Sequence, residues 1–509
     1  MTDSTTDKLH VLVVVLGDLG RSPRMQYHCL SLLQGGHTVT FLGYSGEDLI
    51  PALTDRRYSQ QFRSIRFTAP KLYQLKDYAL PLYFIWRIVS LTVLLIAALL
   101  QVTKTTTTST TRQKKNPDLI LVQNPPAVPL LAVAALYGRL MGAALVIDWH
   151  NLGYSMIAGN GVWMRSLARM YEEWWAPYAN GHLTVTKALR DYLISDMGII
   201  SNTRANSTPT NMSVLHDCPP PIFRLRTVKE QHTVLKQLNL IPPASWSESL
   251  PVNNDTLTLF TEEYAPGRFR PRANRPALIV SSTSWTRDED IGLLIDACVL
   301  ADQMIERNKK SSNLKIVCCI TGKGPLQEIY EHEIAVRCSQ LSHVMVTTLW
   351  IPPADYPIWV GCADLGISLH TSTSGMDLPI KILDYFGCEV PVCAYQFSCL
   401  RELVQDDVNG RTFTTAEQLS SILLDLLQPL AMPVTTGTDD MHIGNHDFGE
   451  LKRYSLQVQG RLLWSENWPK NAWPVLAAAV SKNRRMLEQQ RLHQQQQSSP
   501  GENKASKTD

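Results

Sequence analysis

The sequence predicts an α/β protein with two doubly wound, Rossmann-like domains in tandem. In each half of the 509-residue chain, short apolar strands alternate with amphipathic helices, a pattern typical of a parallel sheet covered by helices on both faces. Turns rich in glycine or other small residues follow strands in both halves. Ligands bind to such sheets at the carboxyl ends of the strands. We therefore expect one binding site in each domain and a cleft between the two, suited to a transfer between two substrates.

The first predicted domain, residues 1–225, begins with a strand, a glycine turn, a helix and a second strand. The strand His10–Leu16 is apolar after its first residue, and the turn Gly17–Arg24 follows it. The turn lacks the Gly-x-Gly-x-x-Gly spacing of a dinucleotide site, but it places an acid and two arginines at the carboxyl end of a strand. Further strands are predicted at Thr38–Gly43, Ser64–Phe67, Leu119–Val122, Ala144–Asp148, Gly181–Val185 and Val214–His216.

The second predicted domain, residues 276–465, repeats the pattern. Its strands are predicted at Ala277–Ser281, Leu314–Ile320, Val344–Thr347, Leu365–Ser368 and Val390–Ala394. Between the domains, residues 226–275 include a stretch rich in Pro, Ser, Asn and Thr and are predicted to be a linker or insert. Residues 466–488 are predicted to be a helical segment that packs back on the first domain, and the Gln-rich residues 489–509 to be disordered.

Composition excludes some classes of partner and compartment. The net charge is +2, which gives no reason to expect nucleic-acid binding. The ten cysteines are scattered and show no zinc-ligand spacing, so we interpret them as reduced core residues of a protein that faces the cytosol. Only polar residues precede the first strand, so no signal peptide is expected.

One apolar run, Leu82–Val102, is long enough for a membrane span of ~20 residues. A single crossing would place the first strands and Leu119–Val122 on opposite sides of the membrane, where they could not share a sheet. The sequence therefore predicts a helix that lies in the membrane surface or re-enters it, with Arg87 reaching to the headgroups. The alternative is a buried helix of the domain core.

A second ligand-binding stretch lies between the strands Leu365–Ser368 and Val390–Ala394. It predicts a short helix from Leu378 to about Phe386, opened by a turn of small residues. Free backbone N–H groups at such a turn can bind a phosphate. Lys381 could add a cation there, and Asp384 could accept hydrogen bonds from ribose hydroxyls. The alternative is an ordinary strand–helix–strand unit with surface charges.

Several sequence blocks, taken in order, resemble the β-1,4-mannosyltransferase family of dolichol-linked oligosaccharide assembly. A single block would be weak evidence, but the series runs in order over most of the chain. The blocks are Gly17-Asp18-Leu19-Gly20-Arg21-Ser22-Pro23-Arg24-Met25-Gln26-Tyr27-His28, Asp148-Trp149-His150-Asn151-Leu152-Gly153-Tyr154-Ser155, His216-Asp217-Cys218-Pro219-Pro220, Ser281-Ser282-Thr283-Ser284-Trp285-Thr286, Thr321-Gly322-Lys323-Gly324-Pro325, Ser374-Gly375-Met376-Asp377-Leu378-Pro379 and Trp464-Ser465-Glu466-Asn467-Trp468.

The resemblance implies a GT-B fold and an inverting enzyme. It implies transfer of mannose from GDP-mannose to O4 of the outer GlcNAc of GlcNAc2-diphosphodolichol, at the cytosolic face of the endoplasmic reticulum membrane. In this fold the second half usually holds the nucleotide and the first half the acceptor. Other early mannosyltransferases of the dolichol pathway become candidate protein partners.

The chain departs from the family and fold pattern in two ways. Members commonly carry an N-terminal membrane anchor, and none is visible before the first strand, so attachment must depend more on Leu82–Val102 and on partners. Many GT-B donor sites have two glutamates eight residues apart. Here the residue eight positions before Asp384 is Met376, which is not an acid, and the nearest acid, Asp377, is one position away from it. Phosphate contacts are then expected from hydroxyls, backbone and Lys381.

On the acceptor side, inversion needs a base that takes the proton of the acceptor hydroxyl. Asp18 is the first candidate, with capping of the following helix as its alternative role. His150 is the second, since imidazole suits proton transfer near neutrality; its alternative is a structural hydrogen bond. Gly17 and Gly20 are expected to shape the acceptor turn. Arg21 and Arg24 could bind the acceptor diphosphate, or could instead pair with surface acids.

On the donor side, the predicted contacts are hydroxyls, a glycine turn and the charges around the short helix. These residues are Thr283, Ser284, Thr286, Gly322, Lys323, Gly324, Asp377, Leu378, Lys381 and Asp384. The acids Asp288 and Asp290 are interpreted as the start of a helix rather than a metal clamp. We therefore expect no fixed metal ligand and no strict cofactor requirement, although a divalent metal such as Mg²⁺ could assist.

The sequence leaves two other functions to consider. The departures from the pattern favour a non-catalytic GT-B relative that binds lipid-linked sugar or scaffolds other mannosyltransferases. A nucleotide-dependent oxidoreductase is a poor alternative, because the dinucleotide fingerprint is absent.

Overall fold

The structure is a computed structural model of the 509-residue chain. It describes residues 8–68, 80–104, 116–157, 162–199, 211–246, 256–308, 313–372, 374–431, 449–458 and 463–498. The chain divides into two compact units. Unit 1 comprises residues 1–216 and 465–509, and unit 2 comprises residues 217–464.

Unit 1 contains a parallel sheet of seven strands. The strands are β1 (His10–Asp18), β2 (Thr38–Tyr44), β3 (Phe62–Phe67), β4 (Leu119–Asn124), β5 (Ala144–Trp149), β6 (Gly181–Thr184) and β7 (Met212–Val214), in the order β3-β2-β1-β4-β5-β6-β7. The central strands are nearly all apolar and buried, as expected for a parallel sheet covered on both faces. The strand order reverses at β1 and β4, and loops at that point form the usual ligand site of such a sheet.

The helices of unit 1 that precede residue 216 are α1 (Pro23–Gln34), α2 (Leu80–Lys104), α3 (Leu130–Met141), α4 (Val162–Trp175) and α5 (Lys187–Ser195). Helix α2 contains the predicted apolar run. Its residues Leu91, Leu95, Ala98, Leu99 and Val102 are buried on one face, and the helix packs against α3. Residues Phe84–Val102 form the one helix, among those described, that is long and apolar enough to cross a membrane.

Unit 2 is built on a six-stranded parallel sheet and an antiparallel hairpin. Its elements are α6 (Val228–Leu238), the hairpin β8 (Thr261–Ala265) and β9 (Arg268–Pro271), β10 (Ala277–Ser282), α7 (Ile291–Arg307), β11 (Ile316–Thr321), α8 (Gln327–Cys338), β12 (Val344–Leu349), α9 (Tyr356–Val360), β13 (Leu365–Ser368), α10 (Ile380–Gly387), β14 (Val392–Tyr395), β15 (Gly410–Phe413), α11 (Ala416–Leu427) and α12 (Gly449–Val458). The sheet order is β12-β11-β10-β13-β14-β15.

The chain then returns to unit 1 through α13 (Trp464–Asn471) and α14 (Trp473–Ser498). The Nδ2 of Asn467 donates to the carbonyl of His216 at 2.8 Å, and the Nδ2 of Asn211 donates to the carbonyl of Val475 at 2.6 Å. These bonds tie the C-terminal segment to the end of the first sheet.

Several boundaries differ from the sequence prediction. Residues 226–275 are not only a linker, because α6 and the β8–β9 hairpin lie there and pack Leu235 and Phe260 into the core of unit 2. The last strand of unit 1 is Met212–Val214 rather than Val214–His216. Strand β15 was missed, since its four residues are too short for a period-two pattern.

The ends of two helices also differ from the sequence prediction. Helix α10 begins at Ile380 after Pro379, not at Leu378, because proline suits the start of a helix and disfavours helical backbone in the residue before it. Helix α14 continues to Ser498, so residues 489–498 are not disordered as predicted. Gln, Arg, Leu and Glu are good helix formers that can extend a helix without burial. Residues 499–509 lie outside the described part of the chain.

Candidate functional sites

The first candidate base, Asp18, ends β1 and holds two loops together. Its carboxylate accepts hydrogen bonds from the backbone N–H of Gly20 and from that of Glu47, each at 3.0 Å. Gly46 lies so close that a Cβ there would fall 2.1 Å from Asp18 Oδ2. Both carboxylate oxygens are thus occupied by backbone donors. This environment favours a loop-closing role over proton transfer.

The predicted acceptor arginines differ in their surroundings. The Arg21 side chain is 73% exposed and pairs with Glu47 at 2.9 Å, so it remains available to an anionic ligand. The Arg24 side chain is 6% exposed and binds Asp148 through Nε at 2.8 Å and Nη2 at 2.9 Å. This buried pairing leaves the predicted diphosphate contact of Arg24 without support. Arg24 does pair with an acid, as in its alternative role, but that acid, Asp148, is buried and not on the surface.

The two glycines of this turn, Gly17 and Gly20, differ in how closely other atoms pack against them. A Cβ on Gly20 would lie 2.5 Å from the carbonyl oxygen of Glu47, whereas one on Gly17 would lie at an ordinary 3.4 Å from Val15. Only Gly20 is therefore required by close packing of the acceptor turn.

Asp148, at the end of β5, is the centre of a buried cluster in unit 1. Besides Arg24, its Oδ2 accepts from His28 Nε2 at 3.1 Å and from His150 Nε2 at 3.0 Å. Burial by itself would raise the pKa of Asp148, but Arg24 and the two histidines more than offset it and hold the pKa well below its usual range. Asp148 is therefore a carboxylate at neutral pH.

The protonation of His28 follows from its partners. Trp468 in α13 donates its indole N–H to His28 Nδ1 at 2.8 Å, and indole nitrogen can only donate. The proton of neutral His28 is therefore on Nε2, where it donates to Asp148. Burial lowers the pKa of His28 more than Asp148 raises it, so the imidazole is neutral.

The second candidate base, His150, is oriented by the same carboxylate. Its Nε2 donates to Asp148, which leaves the lone pair of Nδ1 unprotonated in the neutral ring. Within the described part of the chain no residue hydrogen-bonds this Nδ1. The side chain is 24% exposed, so a ligand can reach it. An imidazole oriented by a buried carboxylate is the usual arrangement of a general base.

Glu172 in α4, not selected from the sequence, lies beneath the loop that follows β5. Its Oε1 accepts from Asn124 Nδ2 at 3.1 Å and from the backbone N–H of Gly153 at 2.9 Å. Burial raises the pKa of Glu172 to about 7, against the lowering effect of these hydrogen bonds. The sequence signal was available: helical spacing puts Glu172 on the side of α4 opposite the exposed Trp163.

The charge of Glu172 predicts a pH-dependent stability difference. Its folded pKa of about 7 lies above the ordinary value of about 4.5, so its stabilising contribution is present in acid and is lost as the pH rises through 7. Between pH 5 and pH 8, wild type should therefore lose about 2–3 kcal/mol relative to Glu172→Gln. Urea unfolding of both proteins at both pH values measures this. A stability difference between the two proteins that is the same at pH 5 and at pH 8 would contradict this prediction.

In unit 2, the predicted donor residues Thr283 and Ser284 follow β10. Glu289 accepts from the Thr283 hydroxyl, and also from the Ser284 backbone N–H at 2.8 Å. Thr283 in turn accepts from the N–H of Trp285 at 2.9 Å. The side chain of Thr283 therefore stabilises the turn. The backbone carbonyl of Thr286 closes it by accepting from the backbone N–H of Glu289 at 3.1 Å.

The glycine turn after β11 packs against this first turn. A Cβ on Gly322 would fall 1.9 Å from the carbonyl oxygen of Thr283, and one on Gly324 would fall 1.8 Å from that of Ser284. Gly322 also has a φ of +132°, which other residues rarely adopt. Between them, Lys323 places its Nζ 4.1 Å from the ring centre of Trp350, which is 53% exposed.

We expect Gly322→Ala to destabilise unit 2 by about 3 kcal/mol or more, because the added methyl group overlaps backbone atoms and the positive φ is strained. Gly267 is a matched control, since its φ is +73° but a Cβ there would meet no atom within 4 Å. Gly267→Ala should cost only about 1–2 kcal/mol. Chemical denaturation measures both, and equal losses would contradict the packing argument.

The stretch before α10 forms a polar loop. Asp377 Oδ1 accepts from the Ser372 hydroxyl, and Ser374 Oγ lies 3.4 Å from the same oxygen. His370, which was not selected from the sequence, lies 3.7 Å from Asp377 and 3.5 Å from Asp288. Burial lowers the pKa of His370, but these carboxylates more than offset it, so the pKa is raised. A cationic His370 would suit a phosphate.

Asp384 and Lys381 lie in α10. Asp384 is 6% exposed, and burial raises its pKa to about 7, against Lys381 and a hydrogen bond from Tyr356. Lys381 lies with its Nζ 5.2 Å from the ring centre of Tyr356. The contact of Asp384 with ribose thus remains a prediction, and the Asp384 side chain is largely buried. Leu378, another predicted donor contact, packs at the edge of the unit 2 core.

Asp290, one of the two acids weighed as a metal clamp, lies at the start of α7. Asp290 accepts from the backbone N–H of Leu293 at 3.2 Å and caps α7, as the sequence predicted. Among the described residues, no group of three or more His, Cys, Asp or Glu side chains is placed to hold a metal ion.

Comparisons with known proteins identify glycosyltransferase domains in both halves. The model of the glycosyl transferase 4-like domain matches residues 21–206, and that of glycosyl transferases group 1 matches residues 278–429. Among solved structures, Anabaena Alr3699/HepE in complex with UDP and glucose aligns with a TM-score of 0.51 at 14% identity, covering 95% of this chain and 100% of the other. The N-terminal domain of Candida albicans trehalose-6-phosphate phosphatase aligns with a TM-score of 0.55 at 11% identity, covering 93% and 99%. The predicted GT-B fold is confirmed.

Curated relatives match over nearly the whole chain. Chitobiosyldiphosphodolichol beta-mannosyltransferase of Mus musculus is 35% identical over 92% of this chain and 89% of its own. The Homo sapiens protein of that name is 34% identical over 92% of both chains. An Arabidopsis thaliana relative named UDP-glycosyltransferase TURAN is 35% identical over 92% and 97%. On this whole-length similarity, the chain belongs to the chitobiosyldiphosphodolichol beta-mannosyltransferase family of glycosyltransferases.

Proposed function

We propose that the protein transfers mannose from GDP-mannose to O4 of the outer GlcNAc of GlcNAc2-diphosphodolichol, forming a β-1,4 linkage with inversion. The observation that carries this proposal is similarity over 92% of the chain to relatives named for that acceptor. The proposal assigns the acceptor to unit 1 and the donor to unit 2. Nothing in the comparisons favours the non-catalytic alternative.

In this mechanism His150 is the base. Its Nδ1 takes the proton of the acceptor O4 as that oxygen bonds to the anomeric carbon of mannose. The bond between that carbon and the diphosphate oxygen breaks at the same time, and GDP leaves. Asp148 stabilises the imidazolium that forms. Asp18 is the alternative base, weakened by the two backbone donors that its carboxylate already holds.

The leaving diphosphate needs positive charge and hydrogen-bond donors. In unit 2 the proposal gives this role to the backbone of the Gly322–Gly324 turn, to Lys323 and Lys381, and to His370, whose pKa is raised by the nearby carboxylates. Polar groups at the ends of β10, β11 and β13 share one edge of the sheet, where ligands of doubly wound sheets bind. In unit 1, exposed Arg21 would meet the acceptor diphosphate.

The proposed location is the cytosolic face of the endoplasmic reticulum membrane. A dolichol-linked acceptor requires work at a membrane, and α2 supplies an apolar helix for attachment in the plane of the membrane surface. Other early mannosyltransferases of the pathway remain proposed partners. We also propose that divalent metal is not strictly required, and complete loss of activity in chelator would refute this.

The test is an assay of purified protein with a lipid-linked chitobiose acceptor and the product linkage determined. GDP-mannose should give a β-1,4-linked mannose, while UDP-sugars should give little product. Transfer from a UDP-sugar alone would overturn the assignment of the donor. Failure to transfer or to bind any nucleotide sugar, in protein that folds, would instead favour the non-catalytic alternative.

A further inference from the structure

Helix α4 presents an apolar face to the outside of unit 1. Trp163, Leu167, Met170 and Trp174 are between 53% and 68% exposed, and their spacing of four, three and four residues places them on one side of the helix. An ordinary surface helix shows the opposite arrangement, with its apolar stripe inward and its polar face in solvent. Here the inward face instead carries Glu172, which is fully buried.

Two neighbouring helices also expose apolar residues. Helix α3 packs against α4 and exposes Leu136 and Leu140, and α2 packs against α3. The outer face of α2 adds a stripe of exposed aliphatic residues, which are Ile85, Ile88, Val89, Val93, Ile96 and Leu100. Isolated exposed apolar residues need no explanation, but a group of them on three helices that pack in series favours an interaction site.

The charges on the polar side of α4 indicate the kind of partner. Arg165 and Arg169 lie on the side of the helix away from the apolar face, with their guanidinium carbons 5.8 Å and 6.0 Å from the ring centre of Tyr154. The nearby acid Glu173 is paired with Arg169 at 2.7 Å. A helix with tryptophans on one face and arginines on its polar side is typical of segments that lie at the boundary between lipid headgroups and acyl chains.

We propose that α4 is a second membrane-docking element, whose face of Trp163, Leu167, Met170 and Trp174 inserts into the headgroup boundary of a lipid bilayer beside α2. A bilayer is favoured over a second copy of the chain because α3 packs against both α4 and α2, the helix long and apolar enough for a membrane, and because the polar side of α4 carries arginines. Docking does not depend on the transfer reaction. If the proposed reaction holds, docking also places the loop that Glu172 supports, and His150 with it, close to the lipid that carries the acceptor.

Tryptophan fluorescence tests the insertion directly. Vesicles of phosphatidylcholine and phosphatidylserine with brominated acyl chains quench only tryptophans that reach the acyl boundary. The variant Trp163→Phe/Trp174→Phe keeps the face apolar while removing two of the twelve tryptophans, so the quenched part of the emission should fall markedly. Trp350→Phe removes an exposed tryptophan from unit 2 and should leave the quenched part unchanged. An equal quenched signal in wild type and the double variant would overturn the proposal.

A binding measurement provides the second test. Leu167→Ser/Met170→Ser should lower the partition coefficient for the same vesicles, without bromine, by about 10-fold or more, at a lipid concentration where wild type is half bound. The control Ile329→Ser/Val336→Ser removes two similarly exposed apolar residues from α8 and should bind like wild type. If the α4 variant binds vesicles normally but changes from dimer to monomer by light scattering, the face is a contact between copies and the proposal fails.

Discussion

Replacing His150 by Ala is expected to lower kcat for mannosyl transfer by about 10²–10⁴-fold, the usual contribution of a general base. The reason is geometric: Asp148 accepts from Nε2 at 3.0 Å and so directs the unprotonated Nδ1 away from the buried cluster. The loss should appear in kcat rather than in KM for the donor, since His150 lies in unit 1 and the proposed donor site in unit 2.

Two variants serve as comparisons for His150. His332→Ala removes an exposed histidine from α8 and should leave kcat unchanged. Asp18→Asn tests the alternative base: if it abolishes turnover in protein that stays folded, while His150→Ala turns over at the wild-type rate, the assignment of the base is wrong.

The second large effect is expected for Asp148→Asn. The substitution leaves the buried guanidinium of Arg24 without its carboxylate, and breaking such a pair on one side costs about 3–5 kcal/mol. It also removes the acceptor of His28 Nε2 and His150 Nε2. We therefore expect the free energy of unfolding of unit 1 to fall by that amount, with kcat reduced in whatever protein remains folded. Denaturant titration at neutral pH measures the first effect.

Asp296→Asn is the matched control for Asp148. It breaks the exposed pair between Asp296 and Arg337, whose side chains are 50% and 36% exposed. Exposed pairs contribute about 0–1 kcal/mol, so this variant should unfold almost like wild type. If Asp148→Asn unfolded at the same denaturant concentration as Asp296→Asn, the buried cluster would not stabilise unit 1.

The regular elements of the fold could largely be predicted from sequence. The central strands, such as β1 and β10, are uninterrupted apolar runs, and burial on both faces of a parallel sheet requires that composition. Short elements, and elements of mixed polarity, were harder to predict. The β8–β9 hairpin lies in polar sequence, and its stability depends on contacts of neighbouring residues such as Phe260 with a core that is distant in the chain. Those contacts cannot be recognised from local periodicity.

The candidate site was only partly predictable, for a related reason. His150 was selected from its chemistry, but its partner Asp148 was not, although an acid at the end of the buried strand β5 was a usable signal. Arg24 was selected as a ligand contact because nothing in its local sequence shows that Asp148 lies beside it. The two residues are 124 positions apart, and only parallel pairing through β1, β4 and β5 brings their elements together.

By itself, the sequence determined that the chain folds into two doubly wound sheets, with polar turns at strand ends, and that it resembles one transferase family. These features follow from residue type, strand composition and short motifs, which are local properties. The tertiary structure decided which polar residues are occupied by structural bonds and which remain open to ligand. It tied Asp18 to two loops, buried Arg24, oriented His150 and turned the apolar face of α4 outward. Each outcome depends on burial and on partners distant in the chain, and these exist only after the chain has folded.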